Sequence, residues 1–313
     1  MTFSRREFLK TAALTGAFIP LAGAIASPAT GRMAPSKIHF FTKPLDGFET
    51  EFMAETLAMA GVGGFELTVR RGGKVDPQRV TEQLPPVVET GKKYGLTTDM
   101  MVTGITGTED RQTEEILKTA SMHGVKHYRL GYYSYDFSQG VVKSLETIKS
   151  RMKDLSDMNL DFNIQGGYQN HDGSRFGAPL WDIWELIKDL PVEAMSCQYD
   201  IRHAIAEGYR SWVIALHLLS RNIGAIALKD FTWQIVNGVA QTVHVPLGEG
   251  VVDFDQFFRL RRELNIDVPV SFHIEYPLLS STEENYPLLQ KQRIITGKLK
   301  KDIEFIRRHE ATA

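Results

Sequence analysis

Gly64-Phe65-Glu66-Leu67-Thr68-Val69 is a β-rich run, followed by a helical pattern over residues 77–94 that stops at Gly95 and then by a second β-rich run, Leu96-Thr97-Thr98-Asp99-Met100-Met101-Val102. Strand, helix, strand is the unit of a parallel sheet, because parallel neighbours need a crossover and a helix ordinarily supplies it. The unit repeats in both directions. Upstream lies Lys37-Ile38-His39-Phe40-Phe41. Downstream lie Lys126-His127-Tyr128-Arg129-Leu130, Asp161-Phe162-Asn163-Ile164, Ala194-Met195-Ser196-Cys197-Gln198-Tyr199, Ala225-Ile226-Ala227-Leu228-Lys229 and Val268-Pro269-Val270-Ser271-Phe272-His273-Ile274. Helical patterns occupy 49–60, 110–123, 138–158, 179–189, 207–220, 253–264 and 285–309. Gly61 and Gly124 stand, like Gly95, where a helix C-terminus favours a left-handed residue. Thr108-Glu109-Asp110 and Asp253-Phe254-Asp255 supply acidic helix starts. Eight strands alternating with eight helices predict a single (β/α)8 barrel of the TIM type. An open doubly wound sheet is the alternative, but it would ordinarily carry a glycine-rich turn after its first strand, and Thr42-Lys43-Pro44-Leu45 is not one.

The chain has 313 residues, 42% hydrophobic and 24% charged, with 26 Gly, 13 Pro and one Cys, which excludes collagen-like, disordered and disulfide-stapled classes. Length alone suggests two domains of roughly 150 residues, yet one barrel takes about 250. The formal charge is -2, and without residues 1–26 the 33 cations stand against 37 acids, or -4. Nucleic acid and anionic membranes need clustered cations, so a small neutral or polar ligand fits better. Cys197 has no disulfide partner, and between Met195 and Tyr199 it reads as a buried packing thiol.

Ser4-Arg5-Arg6-Glu7-Phe8-Leu9-Lys10 precedes an apolar stretch from Thr11 to Ala26 that ends in Ala24-Ile25-Ala26, a small-x-small cleavage site. This resembles a twin-arginine export signal at every position of its motif. The stretch is too short and too rich in Gly, Ala and Thr to span about 30 Å of hydrocarbon comfortably. The expected organisation is a signal peptide over 1–26 and a barrel domain over 27–313. The resemblance implies that the Tat export machinery handles the precursor and that the mature protein is periplasmic or secreted, without a membrane anchor.

In a barrel, ligands sit at the C-terminal ends of the strands, and the loops there, 70–76, 131–137, 166–178 and 230–252, are the longer ones. Polar residues gather at these ends: Glu66, Arg129, Gln169-Asn170-His171-Asp172, Asp200-Ile201-Arg202-His203, Lys229-Asp230 and His273-Ile274-Glu275. Each alone is weak, but together they predict a ring of titratable groups around one mouth. Asp200 and Glu275 interrupt apolar surroundings, and two converging carboxylates suit a divalent cation. The rival reading is a structural ion pair at the rim. His171 and His203 are candidates for metal ligands or substrate contacts, whereas His39, His123, His127, His217 and His244 read as structural or exposed. Pro246-Leu247-Gly248-Glu249-Gly250 either turns backbone N–H groups and Glu249 toward a polyol or caps the next helix. Tyr132, Tyr133, Tyr135, Phe176 and Trp233 either stack on a sugar or pack the mouth.

Asp200-Ile201-Arg202-His203-Ala204, Leu228-Lys229-Asp230-Phe231, Pro246-Leu247-Gly248-Glu249-Gly250 and His273-Ile274-Glu275-Tyr276, in that order on the sixth to eighth strands, resemble the xylose-isomerase-like TIM barrel superfamily. Its sugar phosphate isomerase/epimerase branch, with ketose 3-epimerases and inosose dehydratases, is the nearest look-alike over roughly residues 36–309. Gly64–Arg70 with Gly72-Gly73 is similar to exported members of that branch. The resemblance implies a divalent metal (Mn, Co, Mg or Zn) held from the fifth to eighth strands, with Asp200 and Glu275 matching two ligands and His203 matching a histidine that touches substrate. Gln169 stands where the fifth strand normally offers Glu or His, and Ala227 where the seventh offers His.

The expected activity is that of an isomerase, epimerase or related lyase that moves a proton next to a carbonyl of a sugar or keto-sugar. Glu275 or Glu66 is the expected base, and Lys229, a metal held by Asp200, Glu275 and Gln169, or both, the electrophile. His203, Arg129, His171 and Glu249 are the expected substrate contacts. The alternative is a non-catalytic sugar-binding barrel that has lost its metal site, as Ala227 and Gln169 would allow. The AP endonuclease relatives of the fold need a basic groove and a fuller ligand set, which this chain lacks.

Overall fold

In the computed structural model, which describes residues 35–312, both faces of the run Gly64–Val69 are buried, each for its own reason. Phe65 faces outward onto the helix Val80–Lys93, so closely that a Cβ on Gly91 would stand 2.9 Å from its ring. Glu66 faces inward and bonds to Gln198 and Ser271 of two other strands. The two-residue period of a strand sends apolar side chains to the helices and polar ones toward the barrel axis.

Eight strands close the barrel: β1 (Ile38–Phe41), β2 (Gly64–Val69), β3 (Thr97–Thr103), β4 (His127–Arg129), β5 (Gln165–Gln169), β6 (Met195–Asp200), β7 (Ile223–Leu228) and, after an inserted hairpin of β8 (Asp230–Val236) and β9 (Val239–Val245), β10 (Val270–Phe272). Every barrel pairing is parallel, and β1 meets β10 with Phe40 beside Phe272. The helices are α1 (Thr50–Ala60), α2 (Val80–Lys93), α3 (Arg111–Met122), α4 (Val141–Phe162), α5 (Leu180–Ile187), α6 (Ile201–Gly208), α7 (Trp212–Leu219), α8 (Phe254–Glu263) and α9 (Leu288–Thr312). The chain forms a single (β/α)8 barrel, as the alternation predicts. Gly61, Gly95 and Gly124 take left-handed φ values of 87°, 75° and 88°, and Asp110 and Asp253 cap α3 and α8 through their side chains. Cys197 is fully buried, and burial pushes its thiol far above the ordinary range.

Three expectations are corrected. The fifth strand, expected at Asp161–Ile164, is Gln165–Gln169, because α4 runs on through Phe162 and ends at the left-handed Asn163. The helix predicted over 207–220 is two helices, and the first begins at Ile201 because Asp200 ends β6 and caps α6 at once, its Oδ1 accepting from the His203 N–H. The stretch 230–252 is not an open loop. Asn237 and Gly238, with φ of 53° and 78°, turn it into a two-residue hairpin, for which Asn-Gly is the strongest short signal. No helix among the described residues is long and apolar enough to cross a membrane. The export signal expected over 1–26 lies outside those residues.

Beside the barrel, Asp302 on α9 accepts hydrogen bonds from Tyr276 Oη (2.8 Å) and the Leu247 N–H (3.2 Å). Burial raises its pKa to about 6 against these two bonds, with Glu249 adding to the rise. A carboxyl whose folded pKa exceeds its unfolded value takes up protons on folding, so it favours the fold most below pH 3.8 and loses that advantage as pH climbs through 6. The difference amounts to roughly 3 kcal/mol at neutral pH. Asp302→Asn, which keeps an acceptor for Leu247, is expected to raise the melting temperature by several degrees at pH 8 and to leave it unchanged near pH 4. An equal shift at both pH values would refute this account.

Candidate active site

Asp200 is the hub of the barrel mouth. Its side chain is fully buried, and Oδ2 accepts from Gln169 Nε2 (2.7 Å) and from Lys229 Nζ (3.0 Å). Burial pushes its pKa up, but the Lys229 ammonium beside it more than offsets that and holds it well below the usual carboxylate range. Lys229 follows β7 directly, and its Nζ also lies 3.1 Å from His203 Nε2 and 3.9 Å from Glu275 Oε1.

His203 occupies the first turn of α6, where the Asp200 cap fixes its backbone. Burial lowers its pKa to about 4, against the pull of Asp200, so the ring is neutral at pH 7. Its Nδ1 lies 2.7 Å from Arg202 Nη1, accepts from the Asp172 N–H at 3.3 Å and stands 2.8 Å from Asp172 Oδ1, while Nε2 faces the Lys229 ammonium. His171 stacks on His203 at 4.1 Å, and Arg202 grips the other Asp172 oxygen. Arg202 also bonds Thr242 and lies over Phe231, tying the β8–β9 hairpin to the mouth.

Glu275, just beyond β10, is the open member of the cluster, with 22% of its side chain exposed. Its Oε2 accepts from Lys43 Nζ at 3.0 Å. Burial raises its pKa, but Lys229 and Lys43 more than offset that, so Glu275 is ionised. On the opposite side, Gln169 Oε1 accepts from Tyr132 Oη (2.9 Å) and Arg129 Nη1 (3.2 Å), and the Arg129 guanidinium covers the Tyr132 ring.

Glu66 is fully buried. Its oxygens accept from Gln198 Nε2 (2.7 Å), Ser271 Oγ (2.6 Å) and His273 Nε2 (2.6 Å), and His273 stacks on Phe41. Burial opposes ionisation, but His273 and these donors keep Glu66 charged. Its lone pairs are thus taken up by neighbours, and it holds His273 in place.

The structure therefore brings Asp200, Lys229, His203, Gln169 and Arg129 into one polar cluster, with Glu275 3.9 Å from Lys229 and His171 at its edge. Glu249 is exposed on the turn 246–250, beside the Tyr276–Asp302 pair. The N–H groups of that turn do not face a polyol: Gly248 and Gly250 donate to Asp230 Oδ2 at 3.0 and 2.9 Å, while Phe231 and Val252 donate to Oδ1. A Cβ on Gly250 would collide with Asp230, which is why glycine stands there. Tyr133 and Phe176 pack with Tyr168, and Tyr135 with Phe176, whereas Tyr132 alone of the tyrosines joins the cluster.

Sequence reasoning assigned no role to Asp172, Arg202, His273 or Lys43. The first three lay inside motifs already singled out. Nothing in the sequence links Lys43 to a residue 232 positions away; closure of β1 on β10 makes that contact.

The family model for the xylose isomerase-like TIM barrel matches residues 54–308. The chain belongs to this family. Among curated proteins none matches it in sequence. Solved structures that share the fold include a D-allulose 3-epimerase from Methylomonas sp., with TM-score 0.65 and 13% identity, covering 88% of this chain and 99% of that one. A 3-keto-D-glucoside 4-epimerase from E. coli has TM-score 0.59 and 15% identity over 84% of this chain and 98% of its own. A probable 3-DHS dehydratase from Bacillus anthracis has TM-score 0.59 and 15% identity over 84% and 97%.

The divalent ion expected at Asp200, Glu275 and Gln169 does not fit these residues. Gln169 turns its N–H2 toward Asp200, since its oxygen is engaged by two donors, and Ala227, paired in register with both Asp200 and Ser271, offers no donor atom. Between Asp200 and Glu275 stands the Lys229 ammonium. Among the described residues one compact His/Asp group exists: His171, Asp172 and His203 offer ligand atoms within 4.8 Å of one another.

Proposed function

We propose that this xylose isomerase-like barrel is a carbohydrate isomerase or epimerase, or a related lyase, that moves a proton next to a carbonyl of a sugar or keto-sugar. The observation that carries the reading is Glu275: an ionised, partly exposed carboxylate 3.9 Å from a buried ammonium. A ligand with its carbonyl oxygen on Lys229 Nζ presents the neighbouring C–H to Glu275. The carboxylate takes the proton, the C–H electron pair forms the C=C bond of an enediolate, and the carbonyl pair moves to the oxygen that Lys229 stabilises. Return of the proton to the former carbonyl carbon, as the adjacent hydroxyl passes its own proton to the oxygen held by Lys229, isomerises the sugar; protonation of the first carbon from the other face by a water molecule, with Glu275 giving its proton to solvent, epimerises it; and loss of a leaving group from the next carbon, protonated as it departs, makes the reaction an elimination.

Arg129 and His171 line the same mouth and supply donors for hydroxyl groups, while both ring nitrogens of His203 are engaged by protein groups; Glu66 keeps His273 oriented. A divalent ion, if the protein takes one, finds its best donors in His171, Asp172 and His203, and no step above passes through it. The family membership and the two sugar epimerases among the similar structures support the class of reaction. The twin-arginine motif supports placing the chain in the exported branch of sugar phosphate isomerase/epimerase relatives, carried by the Tat machinery to the periplasm or beyond, where small free carbohydrates or glycosides are the available ligands.

Proton NMR in D2O with a panel of keto-sugars and keto-glycosides tests the reading. Loss of the signal of the hydrogen next to the carbonyl is expected with wild type and not with Glu275→Gln. Binding of a sugar by calorimetry with no exchange for any panel member would replace the enzyme with the sugar-binding barrel.

A further inference from the structure

We infer that the Lys229 ammonium is the resident cation of this site, so that the pocket between Asp200 and Glu275 works without a divalent metal. An ammonium has three N–H donors and no acceptor. Two point at Asp200 Oδ2 and His203 Nε2 at ordinary hydrogen-bond lengths of 3.0 and 3.1 Å. The third is left for the gap toward Glu275 Oε1, 3.9 Å away, where a substrate oxygen would sit. A divalent ion taking the same donors would have to expel the ammonium from a site where Lys229 is 5% exposed and paired.

Charge balance gives a second, independent argument. The three carboxylates gathered around Lys229 and His203 each have a cation already, Lys229 for Asp200, Lys43 for Glu275 and Arg202 for Asp172, while Glu66 is taken up by His273 and Asp230 by backbone N–H groups. Arg129 adds a further positive charge beside Gln169. No surplus negative charge remains to hold a dication. Gln169 completes the picture, because an amide in this position can give Asp200 a hydrogen bond, which an ionised carboxylate cannot do, and Ala227, in register with Asp200, has no donor atom for a metal. The altered residues and the lysine form one consistent substitution, an organic cation on a tether in place of an exchangeable one.

The inference rests on the function proposed above only in its kinetic arm; its metal arm needs no substrate. The full chain is dialysed against EDTA, then titrated with Mn2+ and Co2+ by calorimetry, with bound metal counted by mass spectrometry. Wild type is expected to hold no metal that depends on Asp200, and its proton exchange is expected to be unchanged by EDTA within about twofold. The triple variant Lys229→Met/Ala227→His/Gln169→Glu is expected to gain one Mn2+ with a changed electron paramagnetic resonance spectrum. Metal lost only on Asp172→Asn belongs to the His171–Asp172–His203 group and leaves the assignment of Lys229 standing. Stoichiometric metal in wild type that a folded Asp200→Asn variant fails to bind would overturn it, as would wild-type proton exchange that EDTA abolishes and Mn2+ restores, a result that needs no variant. A wild type that exchanges no sugar proton sinks the proposed function and leaves the metal result readable.

Discussion

Glu275→Gln is expected to lower the rate of exchange next to the carbonyl by about 10²–10⁴-fold, the range a general base contributes. Glutamine keeps the shape of glutamate and an oxygen for Lys43 Nζ, now 3.0 Å from Oε2, so the cluster stays assembled. An amide cannot take a proton at neutral pH. The expected pattern is therefore a collapse of kcat with KM nearly unchanged and a melting temperature close to that of wild type, measured by NMR exchange and thermal denaturation. Asp200 and Glu66 cannot stand in, because both are fully buried and their oxygens are bonded to Lys229, Gln169 and the His203 N–H, or to Gln198, Ser271 and His273. A loss below about tenfold would mean that another group takes the proton.

Lys229→Met is expected to fail in two separable ways. Removing the ammonium leaves the Asp200 carboxylate, wholly buried, with only the Gln169 amide and the His203 N–H for support. An uncompensated buried charge of this kind costs about 3–5 kcal/mol, which lowers the melting temperature by roughly ten degrees in a domain of this size. Because the folded state holds Asp200 well below the carboxylate range, the pair contributes stability above the unfolded pKa of 3.8 and loses it as pH falls through the folded value. The variant's deficit should accordingly shrink in acid. Adding Asp200→Asn should restore most of the stability, since a neutral pair replaces an orphaned charge. It should not restore turnover, which falls by about 10²–10³-fold when an electrostatic stabiliser of the oxyanion is removed. If the double variant recovers both, Lys229 is structural and the electrophile lies elsewhere.

The legible part of this protein is the part governed by local periodicity. The run Gly64–Val69 declares a strand by composition, and its two buried faces follow from where the barrel puts the alternate residues. Helix ends were readable wherever a Gly needed left-handed φ or an Asp capped backbone N–H groups, as at Gly61, Gly124, Asp110 and Asp253. The start of α6 was misplaced because Asp200 serves two elements, and a residue that ends a strand does not look like a helix cap until its side chain is seen to turn back. The hairpin at 230–245 was missed although Asn237-Gly238 announced it, since a long polar excursion after a barrel strand reads equally well as a loop.

The site divides in the same way. Asp200, Lys229, His203 and Glu275 were recognisable because barrel topology places every strand's C-terminal end around one mouth, so polar residues there must converge. Residue types and spacing by themselves determined the fold, the mouth and the list of charged groups. Tertiary structure alone decided which charge faces which: that Gln169 gives Asp200 its N–H2 and not its oxygen, that Lys43 reaches Glu275, that the turn with Glu249 faces away toward Asp302, and that an ammonium stands between the two carboxylates. The physical reason is range. Periodicity and capping act over a few residues and leave marks in the sequence. Pairing among the charges of the mouth is settled by distances of about 3 Å between side chains up to 232 residues apart, where the direction of one amide or one lysine stem changes the chemistry without changing the fold.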